Sequence, residues 1–236
     1  PHDDHSDGIV DLIEEFKPDN VYISNELHSL APDSTSVSAN VLEQINKYKS
    51  YDKRYLYQPK IQGIGTNTVL CSEILRVGSY IIPFDMFTIA PCSGKVRRNA
   101  IENRFSELND YSLVVSINIG DFSVLLTGDV QDRMIGYVND DLYRSVPTPN
   151  ILKVPHHGSK DSLNITGLFS EDQVVDFAIT TAKQSINLPR NEAIQHYTSH
   201  CQNVFKIVPN SSDSAIWGVE VDILKATINQ LVNKNF

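Results

Sequence analysis

Ile151-Leu152-Lys153-Val154-Pro155-His156-His157-Gly158-Ser159 is the stretch on which the reading of this chain turns. Residues 151–154, apolar except for Lys153, read as a strand. The strand delivers two adjacent histidines at its end, followed by glycine and serine. Imidazoles in such a place suit a metal ligand or a proton-transfer group near a phosphate. The bland alternative buries one histidine in a hydrogen bond and exposes the other. A second strand end has the same character. The apolar run 122–126 runs into Thr127-Gly128-Asp129. A carboxylate at the end of a buried strand is unfavourable unless paired or metal-bound. Asp129 reads equally well as the N-cap of a following helix.

Outward from these two points, strand-like and helix-like segments alternate, which argues an α/β fold. On the N-terminal side, Ile9, Leu12, Ile13 and Phe16 follow helical spacing and Pro18 stops that helix. Residues 21–24 read as a strand and 37–48 as a helix. Residues 81–83 and 87–90 read as two strands, and 97–108 as a helical insert. Residues 111–119 and 122–126 read as a hairpin joined at Gly120-Asp121. Beyond it come a helix over 130–143, a strand over 175–180, a helix over 191–200, and strands over 204–208 and 216–224. The polar run Pro209-Asn210-Ser211-Ser212-Asp213-Ser214 reads as a loop rather than a domain boundary. The expectation is one domain spanning residues 1–236.

Composition narrows the classes. The chain has 236 residues, enough for one substantial core, and 41% of them are hydrophobic. With 20 basic and 29 acidic residues the net charge is -9, which opposes broad, nonspecific attraction to nucleic acid or anionic lipid. The run Lys95-Val96-Arg97-Arg98 is a local basic patch or a solvated loop. No apolar run approaches the ~20 residues of a membrane helix. Pro1-His2-Asp3-Asp4-His5 is polar and does not read as a signal peptide. The three cysteines, Cys71, Cys92 and Cys201, are scattered and form no CxxC. They argue against a thiolate zinc site and fit a reducing, cytoplasmic setting.

His2-Asp3-Asp4-His5 places two imidazoles and two carboxylates within four residues, ahead of a helix. This mixture suits zinc, iron or manganese. Its bland reading is a solvated acidic terminus. Three further features read as ordinary: His28 in a loop, His196 and His200 as solvated or capping residues of a helix, and Trp217 in the core.

Together, the segments around His2, Asp129 and His156 resemble the metallo-β-lactamase superfamily. The likeness is greatest to the hydrolase domain of ComEC-type DNA-uptake proteins and its stand-alone relatives. His2, Asp4 and His5 fit the last three ligands of the family's His-x-His-x-Asp-His motif. Leu125-Leu126-Thr127-Gly128-Asp129 fits the motif with the bridging aspartate. Leu152 to Ser159 fits Leu-Lys-Val-x-His-His-Gly-Ser, and Asn109-Asp110-Tyr111-Ser112 resembles the branch's Asn-rich strand entry. Two positions depart from the family: many relatives place a metal-binding histidine near Asn109, and another where this chain has Leu188 before Pro189.

The resemblance implies an αββα sandwich of two mixed sheets flanked by helices. Its first strands and first motif histidine are expected to precede Pro1. It implies one or two metal ions, zinc first, with manganese or iron as alternatives. His2, Asp4, His5, Asp129 and His156 would be the ligands. Asp4, His156 and His157 would be catalytic, and Lys153, Ser159 and Lys160 would contact substrate. The implied activity is hydrolysis of a phosphodiester, including nucleic acid, by metal-activated water. Two alternatives stand beside it. One is hydrolysis of a small ester, thioester or lactam. The other is a degenerate, non-catalytic module that binds a protein partner in a larger assembly, such as the antiphage systems where relatives of this branch occur.

Overall fold

A computed structural model describes residues 9–24, 60–65, 67–91, 108–139, 146–169, 173–181, 187–207, 216–222, 225 and 227–232. The helix expected over 37–48, residues 97–107 of the helix expected over 97–108, and the loop at 209–214 lie outside the described residues. So do His2, Asp4, His5, His28, Cys92 and the Lys95–Arg98 run.

The central element is a mixed seven-stranded sheet, so the α/β class expected from the sequence holds. Its strands lie side by side in chain order: β3 (Val69–Val77), β4 (Tyr80–Ala90), β5 (Val114–Ile119), β6 (Phe122–Leu126), β7 (Ile151–Lys153), β8 (Val175–Thr181) and β9 (Cys201–Ile207). The first four are antiparallel to their neighbours, and β6 to β9 are parallel. Parallel neighbours need crossovers. The path from β6 to β7 includes helix α2 (Asp132–Asn139), and β8 reaches β9 through α3 (Asn191–His200). The remaining described elements are α1 (Ile9–Phe16), a parallel pair of β1 (Asn20–Ser24) with β2 (Lys60–Ile64), and an antiparallel pair of β10 (Ile216–Asp222) with β11 (Thr227–Val232).

Side-chain alternation sorts the large sheet into two faces. Phe87, Val114, Leu125, Leu152 and Ala178 lie on one face and join a single buried cluster with Met134, Ile135 and Val138 of α2 and Ala193 and Tyr197 of α3. The other face carries Val115, Ile117, Val124, Ile179 and Leu126, the last of these exposed.

Several expected boundaries moved. Residues 81–83 and 87–90 belong to one eleven-residue strand, β4, in which Pro83 sits opposite Ile74 of β3 and Phe84 opposite Ile119 of β5. The helix expected over 130–143 starts only at Asp132, and residues 140–143 lie outside the described set. Strand β9 begins at Cys201, directly after α3, three residues before its expected start. Strands β2, β3 and β11 were not anticipated; β3 alternates polar and apolar residues poorly, and both of its faces are largely exposed. The Ile119–Phe122 hairpin is as expected, with Gly120 at φ +60°, a conformation glycine adopts readily. Helix α1 follows the expected spacing, but Ile13 is buried while Leu12 and Phe16 stand exposed. Among the described residues, no helix is long and apolar enough to cross a membrane.

Candidate metal and catalytic site

The candidate residues meet at the carboxyl ends of the parallel strands, where open α/β sheets place their sites. Strand β6 ends at Leu126 and releases Thr127-Gly128-Asp129. The buried Thr127 hydroxyl donates to the carbonyl of Lys153 at 2.7 Å, tying this loop to the end of β7. The Gly128 carbonyl is shared by the neighbouring segment. It accepts from Lys153 Nζ at 2.8 Å and from the His156 N–H at 3.2 Å. Asp129 is thereby held between two loops, only 6% exposed, with its N–H donating to Ser112 Oγ at 3.3 Å. Helix α2 starts three residues later, and Met134 and Ile135 N–H groups both reach the Gln131 carbonyl. Asp129 therefore does not serve as the helix N-cap, which was its bland reading.

Strand β7 gives way to a turn, Pro155–Gly158, with an unusual backbone. His156 (φ 46°, ψ 44°), His157 (φ 53°, ψ 19°) and Gly158 (φ 82°) are all left-handed. For non-glycine residues this costs on the order of 1–3 kcal/mol each and persists only where the surroundings over-determine it. Every carbonyl of the three is engaged. His156 O accepts from Ser159 N–H at 2.9 Å, His157 O from the Thr180 hydroxyl at 3.0 Å, and Gly158 O from Arg190 N–H at 2.9 Å. The turn is thus fastened to itself, to β8 and to the segment after Pro189.

The two histidines take different partners. His157 Nε2 lies 3.7 Å from Asp129 Oδ1, and its Nδ1 is 2.6 Å from the hydroxyl of Thr181. His156, expected as the metal ligand of the pair, has its Nε2 3.4 Å from Asn109 Nδ2. Lys153 Nζ lies 3.9 Å from Asp129 Oδ1 and donates also to the Val154 carbonyl at 3.2 Å. Burial pulls the Lys153 ammonium below its usual pKa, and Asp129 partly offsets this.

Of the other expected substrate contacts, Ser159 is buried, with its hydroxyl accepting from Asp161 N–H at 3.4 Å, and Lys160 is exposed. The structure brings together Asp129, Lys153, His156 and His157; His2, Asp4 and His5 are outside the described residues. Among the described residues no group of three or more His, Cys, Asp or Glu side chains is arranged to hold a metal ion.

Two features noted in the sequence acquire a place. Asn109 is buried beside His156, on the short helical turn Leu108–Tyr111 that leads into β5. Leu188 is buried immediately before Pro189, whose ring lies against Gly158. Three site residues were missed: Ser112, Thr180 and Thr181. The consecutive hydroxyls at the end of β8 were the available signal, but strand-end threonines are too common to single out alone.

Among the described residues, the other histidines and cysteines are ordinary. His196 Nε2 meets the Thr166 hydroxyl at 3.1 Å, and His200 Nδ1 lies 2.8 Å from the His196 carbonyl. Cys71 and Cys201 are free, and burial pushes the Cys201 thiol up to about 12. A cavity of about 510 Å³ lies at the opposite end of the sheet, lined in part by Asn118, Asp121, Thr148 and Asp176. It contains none of the candidate site residues. The chain matches no family model and no curated protein.

Proposed function

We propose that the chain is a metal-dependent hydrolase of phosphodiesters, built as an αββα sandwich of the metallo-β-lactamase type. The observation that carries this reading is the approach of Asp129 and His157 across two loops at one end of the sheet, with a half-buried lysine beside them. A carboxylate oxygen and an imidazole nitrogen are donors that zinc accepts, and manganese or iron take them too. Two donors on one tetrahedral zinc stand about 3.3 Å apart, near the 3.7 Å separating Asp129 Oδ1 from His157 Nε2. Asp129 and His157 would hold the ion, and His2, Asp4 and His5 are the further ligands that the resemblance implies. The bound metal supplies Lewis acidity and makes water a nucleophile near neutral pH.

The chain's own residues account for the rest of the chemistry. The Lys153 ammonium offsets the buried charge of Asp129 and adds positive potential for a phosphate oxygen. His156 stands beside this pair, its Nε2 steadied by Asn109. Exposed Lys160 adds charge at the rim. The phosphodiester substrate class draws on the family resemblance together with these two lysines. The small-ester alternative gains no support from the cavity, which lies at the wrong end of the sheet. The half-exposed apolar face of the large sheet, with Val115, Val124, Leu126 and Ile179, suits a second packed layer and supports the sandwich.

A second reading, a non-catalytic module with a protein partner, draws on one observation. An ammonium 3.9 Å from Asp129 already balances that carboxylate without an ion. Hydrolysis of bis(p-nitrophenyl) phosphate separates the two. The hydrolase reading expects turnover that depends on added zinc or manganese, stops with a chelator, and falls to the chelated background in His157→Ala. Absence of turnover with every metal, on this substrate and on single- and double-stranded DNA and RNA, favours the module.

A further inference from the structure

We infer that Thr181 is the positioning residue of the proposed centre, its hydroxyl holding the His157 ring so that Nε2 faces Asp129. The functional meaning of this inference rests on the hydrolase reading, but its geometry does not. Consecutive strand side chains leave a sheet on opposite faces, yet both threonines at the end of β8 reach His157. Thr180 donates to its carbonyl at 3.0 Å and Thr181 meets its Nδ1 at 2.6 Å. The histidine turn therefore sits across the end of β8, gripped by backbone and ring at once.

Each grip answers a specific need. The left-handed backbone at His157 is costly, and the Thr180 bond helps hold it. The ring retains its side-chain torsions, and the Thr181 bond removes that freedom. Thr181 is well placed to do so. It is β-branched and stiff at χ1, and it lies in a paired strand opposite Ile207 of β9.

The choice of a hydroxyl matters as well. It can accept from Nδ1–H or donate to an unprotonated Nδ1. The ring thus keeps one orientation whichever nitrogen carries the proton. A histidine whose Nε2 serves as a metal ligand must keep its proton on Nδ1, and a partner at Nδ1 is what orients such ligands. A carboxylate at position 181 would favour one tautomer; threonine accommodates both.

The test compares Thr181→Val, which keeps the shape and loses the hydroxyl, with Thr181→Ser, which keeps the hydroxyl. The first readout is the imidazole ¹⁵N resonances of His157 in metal-free protein, and the second is the zinc dissociation constant by chelator competition. In Thr181→Val the ring resonances are expected to shift and zinc affinity to weaken by about 10–100-fold. Thr181→Ser restores both. Unchanged ring resonances in Thr181→Val overturn the inference, as does a serine variant that behaves like valine. Wild-type protein that takes up no zinc overturns the hydrolase reading, and the ring resonances then decide the role of Thr181 by themselves.

Discussion

Gly158 has no room for a side chain. A Cβ built there would lie 2.5 Å from Cβ of Pro189, and its φ of 82° is one that other residues rarely adopt. Gly158→Ala should therefore destabilise the fold by about 2–4 kcal/mol, combining backbone strain with overpacking. Urea unfolding would measure it, and a change within about 0.5 kcal/mol, the size of an ordinary surface substitution, would mean that the turn relaxes freely. The glycine was visible in the sequence, but its reason was not. The contact that demands it comes from Pro189, thirty-one positions away in the chain. The histidine pair was legible as chemistry for the same local reason that its division of labour was not. Two adjacent residues at a strand end announce a site, but which ring meets Asp129 and which meets Asn109 depends on left-handed torsions that no periodicity encodes.

At the scale of elements, α3 illustrates how a helix is docked. Tyr197 is fully buried, and its hydroxyl donates to the Ser162 carbonyl at 2.7 Å, joining α3 to the segment after the histidine turn. One residue earlier, His196 meets the helical turn Asn164–Leu168 through the Thr166 hydroxyl. Burial, and then His200, lower the pKa of His196 from 6.5, with Asp132 opposing. The sign follows from proton binding. Between the lowered folded value and 6.5, the unfolded chain binds a proton that the folded protein resists, so stability rises with pH through that window and falls on acidification. The slope of unfolding free energy against pH below 6.5 should flatten in His196→Gln; an identical slope would mean that the histidine titrates as in the unfolded chain. Element identity was largely legible because hydrophobic periodicity is local: α3 and the Ile119–Phe122 hairpin match their expected positions. Strand β3 was not, because its exposed residues lack the alternation that one buried face imposes.

At the scale of the whole molecule, the order of strands converts distant segments into one site. β6, β7 and β8 are parallel neighbours, so their carboxyl ends open on the same side. The antiparallel β5 enters from that side, which brings the Asn109–Ser112 turn alongside. Asp129, Lys153, His157 and Thr181 are then each other's neighbours although 52 positions separate the first from the last. Asp129, Lys153, His156 and His157 and their strand-end placement were legible in the sequence, and Thr181 was not. The sequence did not supply the adjacency, which is a property of sheet order. The central claim is that this junction holds a metal ion between Asp129 and His157. Its most direct test is metal content by inductively coupled plasma mass spectrometry on protein purified without chelators, for the wild type and Asp129→Ala. The account predicts at least one equivalent of zinc, manganese or iron in the wild type and its loss in Asp129→Ala with the fold retained by circular dichroism. Wild-type protein that carries no metal and takes none up on titration, or an Asp129→Ala variant with undiminished metal, would contradict it.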